Sequence, residues 1–185
     1  MRRSTLGLVF GLSLIAACSE VESQRSQAGR LEVRWRGSES GKISTTAAAE
    51  WCADRRMLEI RAIQGDTGLA VAVYAVDTFA SDSYRVVEPT RADSAPPSAR
   101  VALRLFAQTS IKGYQADSGT VILERSDAGQ VSGSLEARAR SVLNGEQIRL
   151  SGKFQGVAVT PQERGCTRQP PDTSEDAERL DERVD

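Results

Sequence analysis

The chain has 185 residues, of which 39% are hydrophobic and 26% are charged, and its formal net charge at pH 7 is −1. This length and composition suit one domain with an ordinary core, and a charge near zero gives no general electrostatic reason to expect nucleic-acid binding. Histidine is absent, which excludes Ser-His and Cys-His catalytic dyads and removes the commonest zinc ligand.

The N-terminal segment has the layout of an export signal. Residues 1–3 are short and basic, and residues 6–17 form an apolar run that is too short to cross a bilayer as a helix. The run ends in Leu14-Ile15-Ala16-Ala17-Cys18. This ending resembles the lipobox of bacterial lipoproteins, in which a branched apolar residue and small residues precede a cysteine.

The resemblance implies that the signal peptide, residues 1–17, is removed, that Cys18 receives a diacylglycerol thioether, and that the new amine is acylated. Several acyl chains give a stable membrane anchor. Ser19, rather than an aspartate, follows the cysteine, so we expect a place in the cell envelope, at the outer membrane if the cell has two membranes. The alternative is an ordinary secretory signal with a coincidental cysteine.

Two polar segments flank a central domain at residues 30–167. Residues 18–29 are rich in Ser, Gln and Glu and are predicted to be a lipidated flexible tether. Residues 168–185 are mostly acids, arginines and other polar residues, which predicts a disordered acidic tail. A charged helix starting at Ser174 is the alternative for the tail.

Short alternations of apolar and polar residues, separated by Gly, Asp, Ser and Pro, run through the domain. They predict strands at residues 30–36, 43–49, 57–63, 69–76, 84–87, 100–108 and 120–124. A helical turn near residues 47–55 is the only helix expected, and residues 88–98 are predicted to be a surface loop. The pattern predicts an all-β, antiparallel domain, either a β-sandwich or a small β-barrel. Residues 69–76 are apolar on both faces, which slightly favours the sandwich.

The clearest local signal is a hairpin at residues 133–156, centred on Asn144-Gly145. A two-residue type I′ turn would place Leu135 opposite Phe154 and Arg140 opposite Arg149. The inner face would then be apolar and the outer face charged. Small inner residues, among them Gly133 and Gly152, indicate close packing or bending.

The outer face of this hairpin carries Arg138, Arg140 and Arg149. Like charges directly opposite each other destabilise a sheet unless an anion or an acid lies between them. The three arginines are therefore candidate contacts for an anion, which could be a lipid head group, a polysaccharide or the acidic tail. The alternative is a solvated charged face.

The cysteines that remain after Cys18 are Cys52 and Cys166. An exported protein with an even number of cysteines predicts a disulfide between them. A redox-active pair is the less favoured interpretation, because the chain has no Cys-x-x-Cys motif.

No motif indicates a catalytic, cofactor or metal site. The aspartates near turns lack the ligand spacing of known calcium loops, and neither Gly-x-Ser-x-Gly nor Ser-x-x-Lys occurs. We therefore expect a non-enzymatic, membrane-anchored envelope lipoprotein that acts as a structural or binding module, with an envelope protein or polysaccharide as its partner. The domain loosely resembles small all-β envelope lipoproteins of bacteria. The alternative is a lipocalin-like carrier with an apolar interior.

Overall fold

A computed structural model describes residues 29–88, 96–107 and 110–162 of the chain. They form nine strands: β1 Arg30–Gly37, β2 Gly41–Cys52, β3 Met57–Gln64, β4 Thr67–Tyr74, β5 Asp82–Val86, β6 Ser98–Ala107, β7 Ser110–Arg125, β8 Gln130–Ser141 and β9 Gln147–Gln162. The predicted all-β class is confirmed. The described residues contain no helix that could cross a membrane. The predicted signal peptide, tether and acidic tail lie outside the described residues.

The strands close into a barrel in the order β1-β2-β3-β4-β6-β5-β7-β8-β9, with β9 returning to β1. Nearly all neighbours are antiparallel, as predicted. Two short parallel contacts complete the closure, one between Val86 of β5 and Ala99 of β6, and one between residues 49–52 of β2 and 159–162 of β9. The β1–β2, β3–β4, β6–β7 and β8–β9 connections share one end of the barrel, which we call the hairpin end.

Inward side chains from all nine strands fill the barrel. The period-two alternation of the sequence sets this arrangement, because successive side chains of a strand point to opposite faces. The largest fully buried side chains are Tyr114, Phe154, Leu31, Ile43, Leu58, Ile60, Leu103, Leu123, Leu135, Ile148, Leu150 and Val33. At roughly 1.5–3 kcal/mol for each large side chain, this burial is the main stabilising term of the domain.

The prediction of a helical turn near residues 47–55 is wrong. Strand β2 continues to Cys52, and a tight turn with Arg56 at a φ of 49° leads into β3. The three alanines of this segment are weak strand formers, but they pair with β3, and Ala49 also pairs with β9. Pairing on both sides overrides the local propensity.

The predicted register of the β8–β9 hairpin is also wrong, by two residues. Leu135 lies opposite Gly152 and Arg138 lies opposite Arg149. Residues 142–145 form a four-residue loop, in which the Gly145 N–H donates to the Ser141 carbonyl at 3.0 Å. Gly145 has a φ of 74°, but Asn144 does not have the positive φ that a type I′ turn requires. A shift of two residues keeps every side chain on its predicted face.

Candidate anion-binding groove

A row of three arginines crosses the outer face of three adjacent strands. Arg36 of β1 lies opposite Arg149 of β9, and Arg149 lies opposite Arg138 of β8. We call Arg36, Arg149 and Arg138 the arginine row. Neighbouring strands are about 4.8 Å apart, so the row spans about 10 Å.

The arginine row has no acidic partner within the described chain. All three side chains are exposed, and none forms an ion pair or a side-chain hydrogen bond with another described residue. Like charges on directly opposite strand positions repel each other. The row therefore costs the empty fold some stability, and a bound anion would relieve that cost.

A groove of about 800 Å³ runs beside the arginine row. Its other wall is a second cross-strand row, formed by Arg34, Ser151 and Glu136, which we call the mixed row. The two rows are two residues apart along each strand, or about 7 Å. Between them, Leu150 and Ala137 form the floor. The groove therefore runs across the strands and not along them.

The two walls differ in charge. The arginine row is uniformly cationic. In the mixed row, Arg34 is already paired with Glu32 at 3.2 Å. Glu136 is exposed and makes no ion pair or side-chain hydrogen bond within the described residues. Both walls carry a hydroxyl group. Ser151 provides it in the mixed row, and Ser118 of β7, which lies opposite Arg138 of β8, provides it beside the arginine row.

Arg140 is not part of this groove. It lies opposite Gln147, not Arg149 as predicted, and its Nε donates to Asp117 Oδ2 at 2.6 Å. Asp117 lies at the register shift of β7, where a β-bulge redirects the chain. A hydrogen bond from the Ser118 hydroxyl, together with Arg140, holds the pKa of the Asp117 carboxyl below its ordinary value.

Sequence reasoning found two members of the arginine row and missed Arg36. The alternation of β1 does place Arg34 and Arg36 on the outer face, which is a usable signal. However, nothing local in the sequence shows that β1 lies beside β9, because these strands come from opposite ends of the domain.

Cys52 is buried at the end of β2, where it lies beside Gln162 of β9. Cys52 is the only cysteine among the described residues. Cys18 and Cys166 both lie outside those residues, so the pairing of Cys52 with Cys166 stays a prediction, as does the lipidation of Cys18.

A second exposed surface is apolar and lies at the hairpin end. It consists of Ile63, Phe106, Ile111, Val142 and Leu143. These side chains provide contact area but no charge or hydrogen bond that would identify a ligand, so they assign no function.

Within the described ranges, no group of three or more His, Cys, Asp or Glu side chains could hold a metal ion. Comparisons with protein-family models, curated proteins and solved structures find no match for the chain.

Proposed function

We propose that the mature protein is a lipid-anchored, non-enzymatic envelope protein whose groove binds anionic ligands. The observation that carries the proposal is the arginine row, in which three exposed guanidinium groups lie on directly opposite strand positions. The lipobox-like sequence ending in Cys18 supports the anchor.

Guanidinium chemistry suits this role. Arginine presents planar N–H donors that bind carboxylate, phosphate or sulfate groups in a bidentate manner, and it stays charged at any physiological pH. An anion placed over the row would gain charge-assisted hydrogen bonds and would also screen the repulsion between neighbouring arginines. Because the side chains are exposed, the affinity should fall as ionic strength rises.

The scaffold holds the arginine row in place. Strand β9, which carries Arg149, pairs with the whole of β1, which carries Arg36, and with most of β8, which carries Arg138. Directly beneath the groove, Trp35 and Leu150 are buried in the core. A site built on paired strands is better preorganised than one built on loops.

The cysteines support an extracytoplasmic setting for this domain. With Cys18 acylated, Cys166 is the only other cysteine in the chain that could pair with Cys52. Cys166 follows Gln162 by four residues, and Gln162 lies beside Cys52. We therefore propose a Cys52–Cys166 disulfide, which would connect β2 to the segment after β9.

The alternative of a lipocalin-like carrier gains no support from the barrel interior. Inward side chains such as Phe154, Tyr114 and Leu103 are completely buried there. A carrier would require a cavity at this position, and an anion-binding groove on the outer face does not.

The test compares two triple variants of the mature full-length protein in a neutral detergent. The first replaces Arg36, Arg138 and Arg149 with Gln. The matched control replaces Arg55, Arg85 and Arg104, which are also exposed but lie outside the groove. Binding of dextran sulfate is measured by titration calorimetry at several salt concentrations.

We expect the groove variant to bind at least about tenfold more weakly, because it loses charge-assisted contacts worth more than about 1.4 kcal/mol in total. The control variant, with the same net charge, should stay close to wild type. Equal weakening in both variants would show that only overall charge matters and would contradict the proposal. Melting curves check that both variants are folded.

A further inference from the structure

We infer that the ligand of the groove is a linear acidic polysaccharide that lies across the strands, with its carboxylates along the arginine row and its hydroxyl groups along the mixed row. This inference rests on the proposed anion-binding function and adds the chemical class and the orientation of the ligand. Three observations support it: the shape of the groove, the difference between its walls, and the chemistry of its lining.

The shape favours a linear ligand. The groove extends from Arg36 on β1, across β9 and β8, to Ser118 on β7. Three strand spacings give a length of about 14 Å, against a separation of about 7 Å between the walls. Along the cationic wall, each of the three successive strands β1, β9 and β8 carries one arginine, so the arginines repeat at about 4.8 Å. A chain with regularly repeated anionic groups matches this pattern better than a single compact anion.

The difference between the walls favours a ligand with its charge on one edge. Glu136 of the mixed row has no cationic partner in the described chain, so its carboxylate repels an anion and accepts hydrogen bonds from hydroxyl groups. Ser151 beside it can both donate and accept. A chain charged on every side, such as polyphosphate, would place negative charge against Glu136. A sugar acid carries a carboxylate on one edge and free hydroxyls on the other.

The lining disfavours single-stranded nucleic acid. Binding of unpaired bases generally uses aromatic side chains as stacking surfaces. The described residues that line the groove include no aromatic side chain. Recognition there therefore depends on charge and hydroxyl groups.

The experiment uses the full-length protein and labelled galacturonic acid oligomers from one to six units, with fluorescence anisotropy as the readout. Affinity should rise with each added unit and level off at roughly the length of the groove, because further units extend beyond its last arginine. Fully methyl-esterified oligomers keep the shape but lose the charge, and they should bind at least about a hundredfold more weakly, a difference of about 2.7 kcal/mol.

A Glu136→Gln variant tests the mixed row, because it should change the affinities for two kinds of anion in opposite directions. We expect it to weaken binding of the acidic oligomers several-fold, because the neutral amide oxygen of Gln accepts hydrogen bonds from hydroxyl groups more weakly than the carboxylate does. It should strengthen binding of tripolyphosphate, because a repelling charge is removed. Glu124→Gln, an exposed acid on β7 outside the groove, is the matched control and should change neither affinity.

Three results would overturn the inference. Binding of the monomer or of inorganic phosphate as tight as that of the longest oligomer would indicate a single-anion site. Tighter binding of a ten-residue oligothymidylate than of the oligomers would indicate a nucleic-acid ligand. Tighter oligomer binding by Glu136→Gln would contradict the assigned orientation. In each case, the proposed function would still be supported if the arginine-row variant lost binding of the anion in question. Binding that does not depend on the arginine row would contradict both the proposed function and this inference.

Discussion

Asp117 decides which arginines of this face remain available. Its Oδ2 accepts a hydrogen bond from the Arg140 Nε–H at 2.6 Å. The charge of Arg140, which is two residues after Arg138 on β8, is thereby neutralised. Arg138, two residues earlier, has Ser118 as its cross-strand neighbour and keeps its charge free of any described partner. The bulged residue Asp117 therefore pairs with Arg140 and leaves Arg138 available to bind a ligand.

The Asp117 ion pair predicts a pH-dependent stability. The folded-state pKa of Asp117 is lowered, by the Ser118 hydroxyl first and by Arg140, so its contribution is present above the unfolded pKa of about 3.9 and is lost as the pH falls further. Asp117→Asn should lower the free energy of unfolding by about 0.5–1 kcal/mol at pH 7, since the pair is partly exposed. The difference from wild type should shrink below about pH 4.

Denaturant unfolding of both proteins between pH 7 and pH 2.5 measures this difference. Glu124→Gln serves as the control, because that exposed acid has no ion pair among the described residues. If the loss caused by Asp117→Asn stayed constant down to the lowest pH, the carboxylate charge would not be its cause.

At the scale of elements, β9 holds the barrel closed because it changes partners along its length. It pairs with β8 and β1 first and then with β2. Where it passes β1, the two backbones approach very closely. A Cβ atom added to Gly152 would lie 2.2 Å from the Glu32 carbonyl oxygen and 2.6 Å from the Val33 Cα. Glycine in a strand often marks such a close approach.

This contact predicts that Gly152→Ala destabilises the domain by about 1–3 kcal/mol or more, because the backbones of β1 and β9 have to separate. Gly68→Ala on β4 is the matched control, since a Cβ there meets nothing within 4 Å, and it should change stability by less than about 1 kcal/mol. Urea midpoints with unchanged slopes measure both effects. Equal midpoints for the two variants would contradict the close approach.

The β8–β9 hairpin shows what a local pattern can and cannot predict. The alternation of residues 135–141 and 147–154 correctly assigned inner and outer faces, because it depends only on the period of a strand. The predicted two-residue turn is wrong, because Asn144-Gly145 fits such a loop by composition but belongs to a four-residue loop in the fold. The choice between these loops depends on pairing farther along both strands, with β7 and β1.

At the scale of the whole molecule, Cys18 is predicted to determine where the domain resides. A Cys18→Ala precursor should lose labelling by an alkyne-tagged fatty acid and should move from the membrane fraction to the soluble fraction, because no thioether can form. Cys166→Ala is the control and should keep its label. Undiminished labelling of the Cys18→Ala protein would contradict the lipobox interpretation.

Barrel closure could not be predicted from the chain, because an alternating strand looks the same in a sandwich and in a barrel. The all-β class, the inner and outer faces of the main strands and two members of the arginine row followed from the residues alone. Long β7, for which only residues 120–124 were predicted, was underestimated because its first half contains Gly113 and the Asp117 bulge, which interrupt the alternation.

By itself, the sequence determined which side chains of each strand face the core, since that follows from a two-residue period that any few residues reveal. Only the tertiary structure decided which strands lie side by side. Arg36 belongs to the groove because β1 pairs with β9, and this pairing depends on hydrogen bonds between segments that are far apart in the chain. The physical reason is that backbone ladders are nearly independent of side-chain identity, so the sequence of a strand specifies its faces more strongly than its neighbours.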